Sequence, residues 1–277
     1  MRSTMLAFIL AASAILNAPT YAVASGPLDP LQPVSSWTLD KSPDACTLSR
    51  TFGDPAKSVA LTVAPFPLGK SVKILVVEPK SKNKRDFAEG AIGFGNGHTP
   101  IRGYFRIALL AQDRGALFSA LVDQAPFVEQ FKTSSILTIH AGSMSLNLQV
   151  GPSGSAVAAL NLCTAELLNI WGMDAASQAA IKTAPEGSVT KSFQAGDYPS
   201  DALRNMQQGT TGVRFWVGVD GKLSDCRVIA SSGIESLDIQ TCRVLQMRGR
   251  LTPAKDISNR PVRSLSSAEI AWIIPED

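Results

Sequence analysis

Apolar and polar residues alternate most regularly from position 212 onward. Val213, Phe215, Val217 and Val219 fall on one face of a strand, with Arg214, Trp216 and Gly218 opposite. Asp220-Gly221 is a two-residue hairpin signal. On the returning strand Cys226, Val228 and Ala230 share a face, and Ser231-Ser232-Gly233 ends it. The pattern then predicts a helix over about 236–248, with Leu237, Thr241, Val244 and Leu245 on one side and Cys242 at the margin. A short helix precedes the hairpin in YPSDALRNMQQG (198–209), where Pro199 suits a first turn and Gly209 an end. RLTPAKD (250–256) and SLSSAEIAWII (264–274) supply the last extended segments. The order is α-β-β-α-β, a small antiparallel sheet with helices on one face.

Upstream the pattern is that of a larger, β-rich region. SVALTVAPF (58–66), SVKILVVEP (71–79) and RGYFRIALLA (102–111) are rich in β-branched or aromatic residues and read as strands. SSILTIHAG and SMSLNLQVG form two more, joined at Ala141-Gly142. AIGFGNGHTP (91–100) reads as a glycine-rich loop, and ALFSALVDQAPFVEQFK (116–132) mixes helix formers with a proline, leaving its state open. SGSAVAALNLCTAELLNIWG (153–172) is a helix whose Ala156, Ala159, Leu160, Cys163, Leu167 and Ile170 make an apolar stripe. A serine caps its start and Gly172 ends it. The strong periodicity lapses from 174 to 197. The reading is an α+β chain of two domains: a β-rich domain with a C-terminal helix over 36–174, a linker over 175–196, and the small domain over 197–277. Residues 25–35 form a lead-in rich in proline, serine and glycine.

The first residues, MRSTMLAFILAASAILNAPTYAVA, place Arg2 before an apolar run from Met5 to Leu16, followed by Ala22-Val23-Ala24. This is the layout of a secretory signal peptide cut after Ala24. The alternative is a retained inner-membrane anchor, but Asn17, Pro19 and Thr20 interrupt the run short of the ~20 residues a span needs. Export predicts a periplasmic location.

A length of 277 residues suits one large or two modest domains, and 45% hydrophobic with 18% charged residues describes a globular chain. The net charge of +3 excludes a nucleic-acid partner as the natural reading. The cluster Lys80, Lys82, Lys84 and Arg85 reads as a solvated loop.

Export matters for the four cysteines. An oxidising compartment favours disulfides, and four cysteines allow three connectivities. Cys46–Cys163 and Cys226–Cys242 are expected, because each pair then closes within one half of the chain; free buried thiols are the alternative. A Cys226–Cys242 bridge would tie strand to helix around a loop worth ~3 kcal/mol in a domain with a thin core.

The marks along 198–274 resemble the TonB C-terminal domain. They are Tyr198-Pro199 with Ala202, Gly212-Val213, FWVGVDGKL, Ser231-Ser232-Gly233, Leu237-Asp238 and Pro253-Ala254, in that order. The resemblance implies a domain whose last strand accepts an extended peptide of an envelope partner, such as the TonB box of an outer-membrane receptor. Affinity would come from main-chain hydrogen bonds along an open edge. It places partner contacts at Tyr198, Pro199, Ser267, Glu269, Ala271 and Ile273, and the same edge permits a homodimer. Transducers of this family keep a membrane helix and a proline-rich spacer. Here the leader reads as cleavable and a globular region stands in the spacer's place. The resulting function is peptide binding in the periplasm, linked to TonB-dependent transport, with a membrane-anchored energy transducer as the alternative.

Candidate chemistry is sparse, and neither a catalytic set, a cofactor nor a metal is expected. The two histidines, His98 and His140, lie far apart with no Cys/His cluster or HExxH. GFGNG lacks the Lys-Ser/Thr of a phosphate loop, and GPSGSA has the wrong spacing for a nucleophile elbow. An enzyme in the first domain would need a pocket gathering residues such as His98, Arg106 and Asp113. The four tryptophans, Trp37, Trp171, Trp216 and Trp272, read as core or rim.

Overall fold

A computed structural model describes residues 29–79, 87–95, 97–110 and 115–274. The leader and its cleavage site, the basic cluster at 80–85 and Asp113 lie outside the described residues.

The first region is built on nine strands: β1 (Thr38–Lys41), β2 (Cys46–Phe52), β3 (Val59–Pro65), β4 (Ser71–Glu78), β5 (Phe87–Gly93), β6 (Ile101–Leu109), β7 (Ala116–Asp123), β8 (Ile136–Ala141) and β9 (Met144–Gln149). They form one sheet in the order β1-β2-β3-β4-β7-β6-β5-β8-β9. Every pairing is antiparallel.

The sheet closes on itself through residues 31–34. Leu31 donates to the Asn147 carbonyl and accepts from Gln149 on β9. One and three residues later, Gln32 accepts from Gly53 and Val34 donates to Thr51, at the end of β2. The lead-in therefore stitches β9 to the end of β2 and covers part of the edge each would otherwise leave open, one way a β-protein limits edge pairing.

Alternate side chains fill the interior. Leu48, Leu61, Val72, Ile74, Val76, Phe118, Leu137, Ile139 and Leu148 are all buried. The segment whose state the pattern left open divides into β7 and a helix, α1 (Gln124–Thr133). Pro126 sits in that helix's first turn, where its missing N–H removes no hydrogen bond. α1 adds Phe127 and Phe131 to the core, and they pack against each other and against Phe94 and Trp37. The glycine-rich loop is shorter than the sequence suggests, because its first three residues, Ala91 to Gly93, belong to β5. A Cβ on Gly90 would lie 2.5 Å from the Phe105 ring, so the glycine makes room for a core aromatic.

α2 (Gly154–Ile170) packs on β1 and β2. It buries Val157, Leu160, Cys163, Leu167 and Leu168. Ile170 points to solvent instead, since the buried stripe drifts around the helix toward Leu168 in its last turn. Ser153 stands at the start without a side-chain cap; its hydroxyl donates to the Gly151 carbonyl. Cys46 and Cys163 are bonded, which pins α2 to the start of β2.

The segment between 174 and 197 is not featureless. After α3 (Ala175–Ala179), β10 (Ile181–Thr183) pairs with a strand near the C-terminus, and Val189 enters the second core. Asp197 then bonds Arg248 at the end of a distant helix.

The remaining elements are α4 (Ser200–Arg204), β11 (Gly209–Val217), β12 (Leu223–Ala230), α5 (Glu235–Arg248), β13 (Ala254–Asp256), β14 (Pro261–Val262) and β15 (Ser264–Trp272). β12-β11-β15 form one antiparallel sheet, and β10-β13-β14 a second small one. α5 covers the first of these, burying Leu237, Thr241, Val244 and Leu245. Val213, Phe215 and Val217 meet it from β11. Val219 is exposed, because β11 ends two residues before it. Cys226 on β12 and Cys242 on α5 are bonded.

Candidate partner-binding edge and interdomain cleft

β15 lies at one side of its sheet. It pairs with β11 in unbroken register from Gly209–Trp272 to Val217–Ser264. Among the described residues no strand takes its other side. The opposite edge, β12, is a poorer template. Its pairing with β11 shifts register twice, and Asp225 adopts a left-handed φ of 48°. Such bulges twist an edge away from further pairing, whereas a nine-residue edge in constant register invites it.

The faces of this sheet are already committed. Ala268, Ile270 and Trp272 turn toward α5. The alternate set faces the barrel. Leu265 and Trp216 join the first domain's core, and Arg214 lies 4.8 Å from the centre of the Trp171 ring. This explains why Arg214 and Trp216, opposite the apolar face of β11, are both buried. Ser267 lies beside Gly69, and Glu269 takes a hydrogen bond from the Ser71 hydroxyl. Burial pushes the Glu269 carboxyl above its ordinary value, partly offset by that bond and by Lys73.

The residues expected to meet a partner thus divide. Ser267 and Glu269 spend their side chains on the first domain. Ala271 and Ile273 stay exposed and line a cleft. Tyr198 donates to the Gln207 carbonyl at 2.6 Å and sets its ring edge-on against Trp272, which braces the end of β15. Pro199 precedes α4 as its cap.

The cleft sits where the two sheets diverge, beside the ends of β11 and β15, and has a volume of about 930 Å³. Phe66, Ala120, Leu121 and Trp272 are among its walls, with Lys73, Arg106 and Ser119 on the barrel side. Lys73 donates to the Ser231 carbonyl at 3.1 Å and Arg106 to that of Ser232. These two bonds fix the Ser-Ser-Gly turn to the barrel wall. Burial, and secondarily the charge of Arg106, holds the Lys73 ammonium below the ordinary lysine value. Sequence reasoning gave no sign of this cleft, because its parts come from strands more than a hundred residues apart.

The histidines stand elsewhere. His140 shares a hydrogen bond with Ser145, and His98 does not line the cleft. Among the described residues no group of three or more His, Cys, Asp or Glu side chains could hold a metal ion. No helix of the described residues is long and apolar enough to cross a membrane.

Residues 194–274 match the family described as Gram-negative bacterial TonB protein C-terminal. Neither the curated proteins nor the solved structures yielded a match.

Proposed function

We propose that this TonB-like protein works in the periplasm as a binding module. It would take an extended peptide of an envelope partner as an added strand on β15, in connection with TonB-dependent transport. The observation that carries this reading is the bare outer side of β15, nine residues in unbroken register. Among the described residues no strand partners the backbone groups there, and a peptide supplies them at little conformational penalty because the template is already extended. With Ser267 and Glu269 turned onto the barrel, main-chain bonding rather than side-chain pockets would dominate along the middle of the strand. Selectivity would be concentrated near Ala271 and Ile273.

A photo-crosslinking amino acid placed at Ser266, in the full exported chain, tests this. The matched control places the same group at Ser224 on β12. The reading expects one dominant envelope product from position 266, none from 224, and slowed amide exchange over 264–273 when the captured partner's extended segment is added as a synthetic peptide. Equal products from both edges, or no protection of β15, would overturn it.

A further inference from the structure

The interdomain cleft has the make-up of a small-molecule site. Scattered exposed apolar side chains are ordinary, but a ring of them around one concavity is not. Tyr104, Met206 and Ile273 are each more than two-thirds exposed, Phe87 is 40% exposed, and all four line this one cleft. Its volume of about 930 Å³ falls within the usual range for ligand pockets.

The barrel side of the cleft is cationic. Lys73 and Arg106 stand close enough for their charges to act on each other. Asp238 and Glu269 also act on Lys73 through space and offset part of the positive charge, while their own oxygens accept from neutral donors. Asp238 accepts from Thr211, Ser231 and the Ser232 amide, and Glu269 accepts from Ser71. An ammonium has three N–H donors, and the Ser231 carbonyl takes one of them. Ser119 adds a hydroxyl to the same wall.

We propose that the cleft binds an apolar monocarboxylate of the fatty-acid type, its head on Lys73, Arg106 and Ser119 and its chain between Phe66, Phe87, Tyr104, Met206 and Ile273. The carboxylate suits this end because it accepts from both cations in a water-poor setting, where charge-assisted bonds are strongest. The chain suits the other end because Phe66, Phe87, Met206, Ile273 and the Tyr104 ring offer it mainly apolar surface. The assignment stands whether or not β15 accepts a strand.

The test is titration of the full exported chain with decanoate and with decanol, each displacing bound anilinonaphthalene sulfonate, with Trp272 fluorescence as a second signal. Decanoate should displace the dye at one site per chain. Lys73→Met should weaken decanoate roughly tenfold, as expected for losing one charge-assisted bond, and leave decanol nearly unchanged. Lys73→Arg should restore most of the loss. Should Lys73→Met misfold, Ala271→Trp, which fills the exposed part of the cleft, should abolish both ligands while keeping native circular dichroism. Equal decanoate affinity in Lys73→Met, or unaltered binding in Ala271→Trp, overturns the proposal. So does displacement by an acetylated Leu-Phe dipeptide acid but not by decanoate, which would make the cleft a peptide-terminus pocket.

Discussion

A Cβ built on Gly212 would lie 2.1 Å from Cε1 of Phe66 and 3.0 Å from the Ala230 Cβ. This one residue lets the barrel's Phe66 ring rest directly on the backbone of β11. Gly212→Val should therefore lower stability by about 1–3 kcal/mol, the usual range for forced overpacking. Thermal melts check this, and Phe66→Ala in the same chain should recover part of the loss. Two carboxyls act in opposite directions with pH. The Asp197 carboxyl is held below its ordinary value, first by the hydrogen bond from Arg248. Its contribution is therefore present above the ordinary carboxylate range and is lost as pH falls through the lowered value. The Glu269 carboxyl is raised, chiefly by burial, so its contribution is present at acid pH and is lost as pH rises through the raised value. Urea midpoints measured across pH should show Asp197→Asn blunting the acid-side loss and Glu269→Gln flattening the decline on the other side. Of these residues only the cysteine pairing could be read beforehand. Cys226 and Cys242 sit on elements whose faces the alternation defines, whereas the need for glycine at 212 is created by Phe66, nearly 150 positions away.

At the scale of elements, local periodicity identified what local physics decides. The hairpin of β11 and β12 and the buried side of α5 were plain, because alternation and a 3.6-residue stripe report which face meets a core. What the pattern misjudged was decided by distant partners. Ile170 lies on the expected stripe of α2 yet faces solvent, and residues 31–34, read as a lead-in, hydrogen-bond both β9 and β2. Polar and proline-rich segments carry no periodicity that could announce a role in closing a sheet. That closure has a testable consequence. A chain starting at residue 35 would leave β9 and β2 with unpaired edges, and exposed edges promote association. Such a chain should melt earlier and aggregate in light-scattering assays at concentrations where the full chain does not. An unchanged scattering profile would show that the stitch is dispensable.

At the scale of the molecule, the two regions share a core. Trp216 and Leu265 belong to the sheet of the second domain but pack into the first. Arg214 reaches back across the same boundary to Trp171, and Lys73 and Arg106 reach forward to Ser231 and Ser232. A family transducer on a long spacer must let its terminal domain range freely, whereas this interface holds the domain against a barrel. The first domain thereby fixes the orientation of β15. The physical consequence is coupled unfolding, because separating the domains would wet Trp171, Trp216 and Leu265 together. Tryptophan fluorescence, which reports on the boundary through Trp171 and Trp216 and on the two cores through Trp37 and Trp272, and far-ultraviolet circular dichroism, which reports on both sheets, should trace a single superimposable transition. Arg214→Ala removes the cation over Trp171 and leaves that ring facing a gap. It should split the two probes, with fluorescence changing first by several degrees. Coincident curves in that variant would mean that the contact of Arg214 with Trp171 is not what couples the two domains.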